Sequence, residues 1–186
     1  WANSDETARD FEHKINKCLN MYPEQVCNVM FNLLDSHDTM RLITRCGGNE
    51  NEFYQRLCAM LAMNGTACIY YGTEIILPGG FDPDCRRCMP WEEINSGLYN
   101  DKISTMKQLI NMRKSYPELR NGEIRFLPES KGRIIAFEKY SSNRTIKIVI
   151  NCSNNEYQIK NLDKIIFARG FKNDCIESGG VVIAQV

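Results

Sequence analysis

Between residues 35 and 41 the chain gathers two carboxylates, two hydroxyls, an imidazole and a guanidinium, carried by Asp35, Ser36, His37, Asp38, Thr39 and Arg41. They follow Met30 to Leu34, a short and almost continuously apolar run of the kind found in a strand covered on both faces. The end of such a strand is where an α/β sheet presents side chains to a ligand. A plainer reading makes this a polar βα loop in which Asp38 caps a following turn.

A second polar group, Asp82, Asp84, Arg86 and Arg87, lies in the stretch from Thr73 to Gly97, which is rich in Gly, Pro, Asp and Arg. Connections that long inside a compact domain tend to be functional. These four side chains either pair among themselves or hold the hydroxyl groups of a ligand. The same stretch contains Cys85-Arg86-Arg87-Cys88. Zinc would want a second such pair or nearby histidines, and the chain has only His13 and His37, so neither a metal nor any other cofactor is expected.

The surrounding elements alternate. Ser4 is placed to cap a helix whose apolar stripe is Ala8, Phe11, Ile15, Cys18, Leu19 and Tyr22, ending at Tyr22-Pro23. After the strand at Met30–Leu34, Gly47-Gly48 break the chain. Asn49 with Glu52 resembles a capping box for a helix carrying Phe53, Leu57, Met60 and Leu61, which Gly65 closes. Ala67 to Gly72 then reads as a second buried strand, and Asn100-Asp101 open a third helix that ends at Tyr116-Pro117. Helix, strand, helix, strand is the rhythm of a parallel α/β unit.

From about Leu119 the period changes to two. Strands are expected at Glu123–Leu127, Arg133–Tyr140, Thr145–Cys152, Glu156–Ile159, Lys164–Ala168 and Val181–Val186, with turns that include Ser178-Gly179-Gly180. This reads as a small all-β domain of sandwich type. The expected division is therefore residues 1–118 and 119–186.

Composition excludes several classes. The 186 residues carry 23 basic and 23 acidic side chains, so no excess of charge points to nucleic acid or a membrane surface. No apolar run approaches the roughly 18 residues that a span needs. Nine cysteines, an odd number with several at apolar positions, fit free thiols in a reducing, cytoplasmic setting. The start, Trp1-Ala2-Asn3, has neither an initiator Met nor the charged and apolar regions of a secretory signal, so a piece of a longer polypeptide is expected.

Three motifs taken in order resemble the carboxyl-terminal part of an α-amylase-family glycoside hydrolase, most closely its neopullulanase and cyclomaltodextrinase branch. They are Phe31-Asn32-Leu33-Leu34-Asp35-Ser36-His37-Asp38-Thr39, then Cys68-Ile69-Tyr70-Tyr71-Gly72 with Glu74-Ile75, and then the run from Gly79-Gly80-Phe81-Asp82 through Arg86-Arg87-Cys88 to Trp91. The resemblance implies a partial (β/α)₈ TIM barrel, its strands seven and eight with their helices, followed by a β-sandwich domain. It implies a retaining glycosidase acting on α-glucan oligosaccharides, with a carboxylate nucleophile on strand four and a glutamic acid after strand five, both outside this chain. Asp38 would then be the transition-state-stabilising carboxylate and His37 its companion on the same sugar. Asp82 and Arg86 would hold a neighbouring glucose unit, with Arg87 and Trp91 structural. The chain alone would be inactive, and its uncovered sheet edges would make it self-associate. The alternative is a non-catalytic glucan-binding or interaction module derived from the same barrel. The sequence departs from the branch at Met40, where proline is common, at Thr73, where Asp often follows Tyr-Tyr-Gly, and at Ile76-Leu77, which replaces a glycine-containing pair. These departures bear on the loop after strand eight.

Overall fold

The computed structural model describes residues 5–186. In chain order it contains helices and strands α1 (Ala8–Leu19), α2 (Glu24–Cys27), β1 (Phe31–Leu33), α3 (Leu42–Arg45), α4 (Glu50–Leu61), β2 (Thr66–Cys68), α5 (Trp91–Asn95), α6 (Asn100–Ser115) and α7 (Glu118–Asn121). The strands β3 (Glu123–Phe126), β4 (Ile134–Tyr140), β5 (Thr145–Asn151), β6 (Tyr157–Gln158), β7 (Lys164–Lys172) and β8 (Cys175–Gln185) follow.

The cap expected from Ser4 lies outside the described residues. Thr7 is the N-cap, in a reciprocal capping box with Asp10: its hydroxyl takes the Asp10 amide while the Asp10 carboxylate takes the Thr7 amide at 2.7 Å. At α4 only half of the expected box forms. Asn49 Oδ1 accepts the amides of Asn51 and Glu52, whereas the Glu52 carboxylate turns to Arg56, one turn further on.

β1 and β2 pair in parallel, Phe31 opposite Thr66 and Leu33 opposite Cys68. Both are shorter than expected, and β1 is not covered on both faces: Phe31 is 71% and Leu33 49% exposed. An apolar run shows what a strand would bury, not whether a partner is there to bury it. Among the described residues the only strand beside β1 is β2.

The antiparallel part also differs from a sandwich of two separate sheets. All six strands join one curled sheet, in the order β3-β4-β5-β8-β6 with β7 on the other side of β8. β8 is 11 residues long, long enough to take β5 and β6 along one edge and β7 along the other. The expected turn at Ser178-Gly179-Gly180 lies inside it. The actual reversal is Asn173-Asp174, both with positive φ (51° and 57°), as a two-residue hairpin turn requires. At Gly180 the strands approach so closely that a Cβ would sit 2.6 Å from the Gly170 carbonyl, which is why glycine stands there.

Period-two alternation sorts the sheet. Ile135 and Phe137 of β4, with Ile146, Ile148 and Ile150 of β5, join Leu57, Leu61, Met106 and Leu109 of α4 and α6 in one core. Ile134, Ala136, Val149 and Val182 face the other way, into a smaller cluster closed by Ile159 and Ile176. The larger core runs across the expected boundary at 118/119, which falls within α7.

One buried cation sits on that core. Lys139 is fully buried and its ammonium donates to Asn64 Oδ1 and to the Gly122 carbonyl at 2.6 Å. Burial, reinforced by Arg113, holds its pKa down at about 8, against an ordinary lysine value of 10.5. The unfolded chain therefore binds more protons than the folded one between these values, so this group makes stability rise with pH across the window. Wild type should gain about 1 kcal/mol between pH 7.5 and 9 relative to Lys139→Met, measured by urea unfolding. Equal pH slopes for the two proteins would overturn this. The comparison with the variant is needed because buried thiols act oppositely: burial raises Cys46 to about 11 and Cys152 to about 12, and both favour the folded state less as pH passes 9.

Candidate functional site

The carboxyl ends of β1 and β2 are tied by Asp35. Its buried carboxylate accepts the Leu42 amide at 2.9 Å and the Thr73 hydroxyl at 3.1 Å, joining the loop after β1 to the loop after β2. Thr73 thus serves as the loop's internal partner for a carboxylate that the sequence placed among the candidate ligand-facing groups. Three residues further on, Ile76 takes the left-handed conformation, φ 60°. A β-branched residue there is strained, so this loop has a backbone held by its packing.

Residues 36–39 form a tight turn, the Ser36 amide donating to Thr39 Oγ1 at 2.9 Å and the Asp38 amide to Ser36 Oγ at 3.2 Å. The turn points His37 and Asp38 outward, their side chains 62% and 69% exposed. His37 Nε2 lies 3.2 Å from one Asp38 oxygen, and Arg86 Nη2 lies 3.6 Å from the other. Arg86 Nε is shared between Asp82 Oδ1 at 2.9 Å and the His37 carbonyl at 3.0 Å. The four residues singled out in the sequence, His37, Asp38, Asp82 and Arg86, therefore form one continuous chain of polar contacts at the carboxyl end of the parallel strands.

Its neighbours have more local tasks. Arg87 grips Asp84 with both Nε and Nη2, at 2.7 and 2.9 Å, and holds its carboxyl below the usual range with help from the Gly80 amide. The Arg87 carbonyl also accepts the Tyr71 hydroxyl. Trp91, expected to be structural, is 62% exposed at the start of α5 and packs into neither core. The Cys85 thiol is buried and donates to the His37 carbonyl at 3.0 Å, whereas Cys88 is exposed.

Arg41, grouped in the sequence with the strand-end polar cluster, instead lies under the site. Arg41 is fully buried, with Nε on the Cys85 carbonyl at 2.7 Å and Nη1 on the Tyr71 carbonyl. Its guanidinium carbon stands 4.2 and 4.6 Å from the ring centres of Tyr70 and Tyr71. The one available signal was a guanidinium directly before Leu42-Ile43, two core residues. An apolar groove of about 560 Å³ lies away from this cluster, beside β1, lined by Phe11, Ile15, Phe31, Leu33, Met60 and Met63 among others.

An arrangement of exposed carboxylates held by cations is suited to accepting hydrogen bonds from the hydroxyls of a neutral polar ligand such as a sugar. Residues 2–126 match the α-amylase catalytic domain. The chain belongs to the α-amylase family. A cyclomaltodextrinase of Geobacillus thermopakistaniensis is 41% identical over 162 residues, covering 86% of this chain and 27% of that protein. Neopullulanase 2 of Thermoactinomyces vulgaris is 36% identical over 154 residues, covering 81% of this chain and 26% of that one. The debranching enzyme of Nostoc punctiforme, in its native crystal form, superposes with a TM-score of 0.85 at 28% identity, covering 97% of this chain and 40% of that one. The chain thus spans about a quarter of the curated relatives' length. Parallel strands with flanking helices, followed by an antiparallel sheet, are consistent with part of an α-amylase barrel plus a β domain. Among the described residues no helix is long and apolar enough to cross a membrane.

Proposed function

We propose that this chain is the carboxyl-terminal part of a retaining glycosidase that hydrolyses the α-glucosidic bonds of starch-derived glucans: maltooligosaccharides, pullulan or cyclodextrins. β1 and β2 are its barrel strands seven and eight, residues 1–118 the end of the catalytic barrel and residues 119–186 the β domain. The observation that carries this is the chain of polar contacts from His37 through Asp38 and Arg86 to Asp82, at the strand ends.

Asp38 is the group that grips ring hydroxyls of the sugar at the cleavage point, and it does so more strongly as positive charge develops on that ring. His37 donates to the same sugar. Arg86 orients both carboxylates, and with Asp82 it holds the adjoining glucose unit. The nucleophile and the acid come from strands outside this chain, so the 186 residues alone are inactive. The cytoplasm is the proposed setting, supported by cysteines that are unpaired among the described residues.

Two measurements test this. Hydrolysis of maltotriose, pullulan and a cyclodextrin is assayed with the polypeptide as translated and with the 186-residue chain by itself. Cleavage by the first and none by the second is expected. Glucan binding without cleavage by the polypeptide as translated would favour the non-catalytic module. In light scattering, the isolated chain should self-associate at micromolar concentration, because Val29, Phe31 and Leu33 expose an apolar patch beside the unpaired edge of β1. A monodisperse monomer would overturn that expectation.

A further inference from the structure

Arg41 belongs to no part of the function proposed above, yet it touches every loop that builds the site. Its backbone amide donates to the Gly79 carbonyl at 2.9 Å, its Nε to Cys85 and its Nη1 to Tyr71. Tyr71 stands at the exit of β2, and Gly79 and Cys85 bracket Asp82. The Cys85 thiol in turn reaches back to the His37 carbonyl, as does Arg86. Among the described residues no carboxylate lies within ion-pair distance of Arg41, and its Nη2 is buried without a hydrogen-bond partner. The charge is held instead by two main-chain carbonyls and two aromatic faces.

A guanidinium seated this way is not placed for packing alone. Leaving the buried Nη2 with neither N–H paired has a desolvation cost that an apolar side chain would avoid. What the guanidinium provides is a rigid planar fork whose two nitrogens reach two well-separated carbonyls of the connection after β2 in fixed directions, whereas a lysine offers a single nitrogen on a flexible stem. We infer that Arg41 is a positioning residue, fixing the Asp82–Arg86 loop against the His37–Asp38 loop and so setting where the adjoining sugar unit sits relative to the cleaved one. This rests on the proposed glycosidase reading.

The test uses the polypeptide as translated, wild type beside Arg41→Lys, with two readouts. The first is kcat/KM for maltotriose and for p-nitrophenyl α-glucoside, a substrate with a single sugar unit. Arg41→Lys should lower the ratio of the two by about tenfold, because only the longer substrate uses the loop that has lost its seat. A merely structural lesion lowers both rates by one factor. The second readout is hydrogen exchange. Amides of residues 80–86 should exchange about tenfold faster in the variant, while those of α4, β4 and β5 keep wild-type protection.

A reduced ratio with faster loop exchange supports the inference; an unchanged ratio, or unchanged loop exchange in a folded variant, overturns it. If wild type cleaves neither substrate, the glycosidase reading fails and the exchange comparison alone decides whether Arg41 positions the loop. If Arg41→Lys does not fold, Tyr70→Leu replaces it, opening one face of the stack while keeping both carbonyl contacts. The same pattern at smaller size is then expected, and its absence overturns the inference.

Discussion

Replacing Asp38 by Asn should lower kcat for maltotriose by about 10²–10⁴-fold in the polypeptide as translated, with KM changed far less. The carboxamide keeps the shape of the side chain and removes its charge. Two charge-assisted hydrogen bonds to ring hydroxyls, at about 1.5–3 kcal/mol each, account for that range. The substitution also turns an amide nitrogen or a neutral oxygen toward Arg86 Nη2, now 3.6 Å from a carboxylate oxygen. Arg86 retains Asp82 at 2.9 Å, so the loop stays seated and the loss falls on the reacting sugar. Steady-state kinetics and a maltotriose titration separate the two effects. A loss smaller than tenfold, or one confined to KM, would remove Asp38 from the role proposed for it.

His37, Asp38, Asp82 and Arg86 stood in two polar loops and were singled out by the resemblance of their motifs, and the structure brings all four together. Arg41 was not legible in this way. Its partners Tyr71 and Cys85 lie 30 and 44 residues further along, so no window contains the contact. Asp35 was misjudged for the same reason: it looked like part of the exposed cluster, but Thr73 and Leu42 draw it inside. Among the elements, helices with caps and strict periodicity were read to within a few residues. β1 failed on coverage, since its apolar pattern implies neighbours that the described chain does not supply. The last hairpin failed on glycine: Gly179 and Gly180 read as a turn, whereas Gly180 lets β7 and β8 approach closely and Gly179 sits against Asn51 at positive φ, and the less conspicuous Asn173-Asp174 pair makes the turn.

Both buried arginines share a principle that bears on the second large effect. Like Arg41, Arg113 has no carboxylate within ion-pair distance among the described residues, and its charge is carried by carbonyls. Nη1 takes the carbonyls of Leu61 at 2.6 Å, Met63 at 2.9 Å and Leu119 at 3.1 Å, and Nη2 takes that of Gly65. Three of these four belong to the end of α4 and the turn into β2, where a helix leaves carbonyls without intrahelical donors and its dipole favours a cation. Burial lowers the Arg113 pKa, with a smaller contribution from Arg120, so the seat has a desolvation cost that those carbonyls must offset. Arg113→Met keeps the apolar stem and removes the donors. It should lower stability by about 3–5 kcal/mol, the balance of several buried carbonyls left unpaired against the relief of the desolvated charge. That is a large share of the roughly 5–15 kcal/mol that holds a domain together. Urea unfolding at pH 7 measures it, and a loss below 1 kcal/mol would show that water or rearrangement satisfies the freed groups. A second consequence separates lost hydrogen bonds from a general loosening. Arg113 helps to keep the Lys139 pKa down, so its removal should shift the pH window of Lys139 upward in the protein that remains folded. The effect should also reach the site, because Gly65 leads into β2 and the far end of β2 carries Tyr70 and Tyr71 onto Arg41. Freed at its start, that strand has less to hold the two rings against the Arg41 guanidinium.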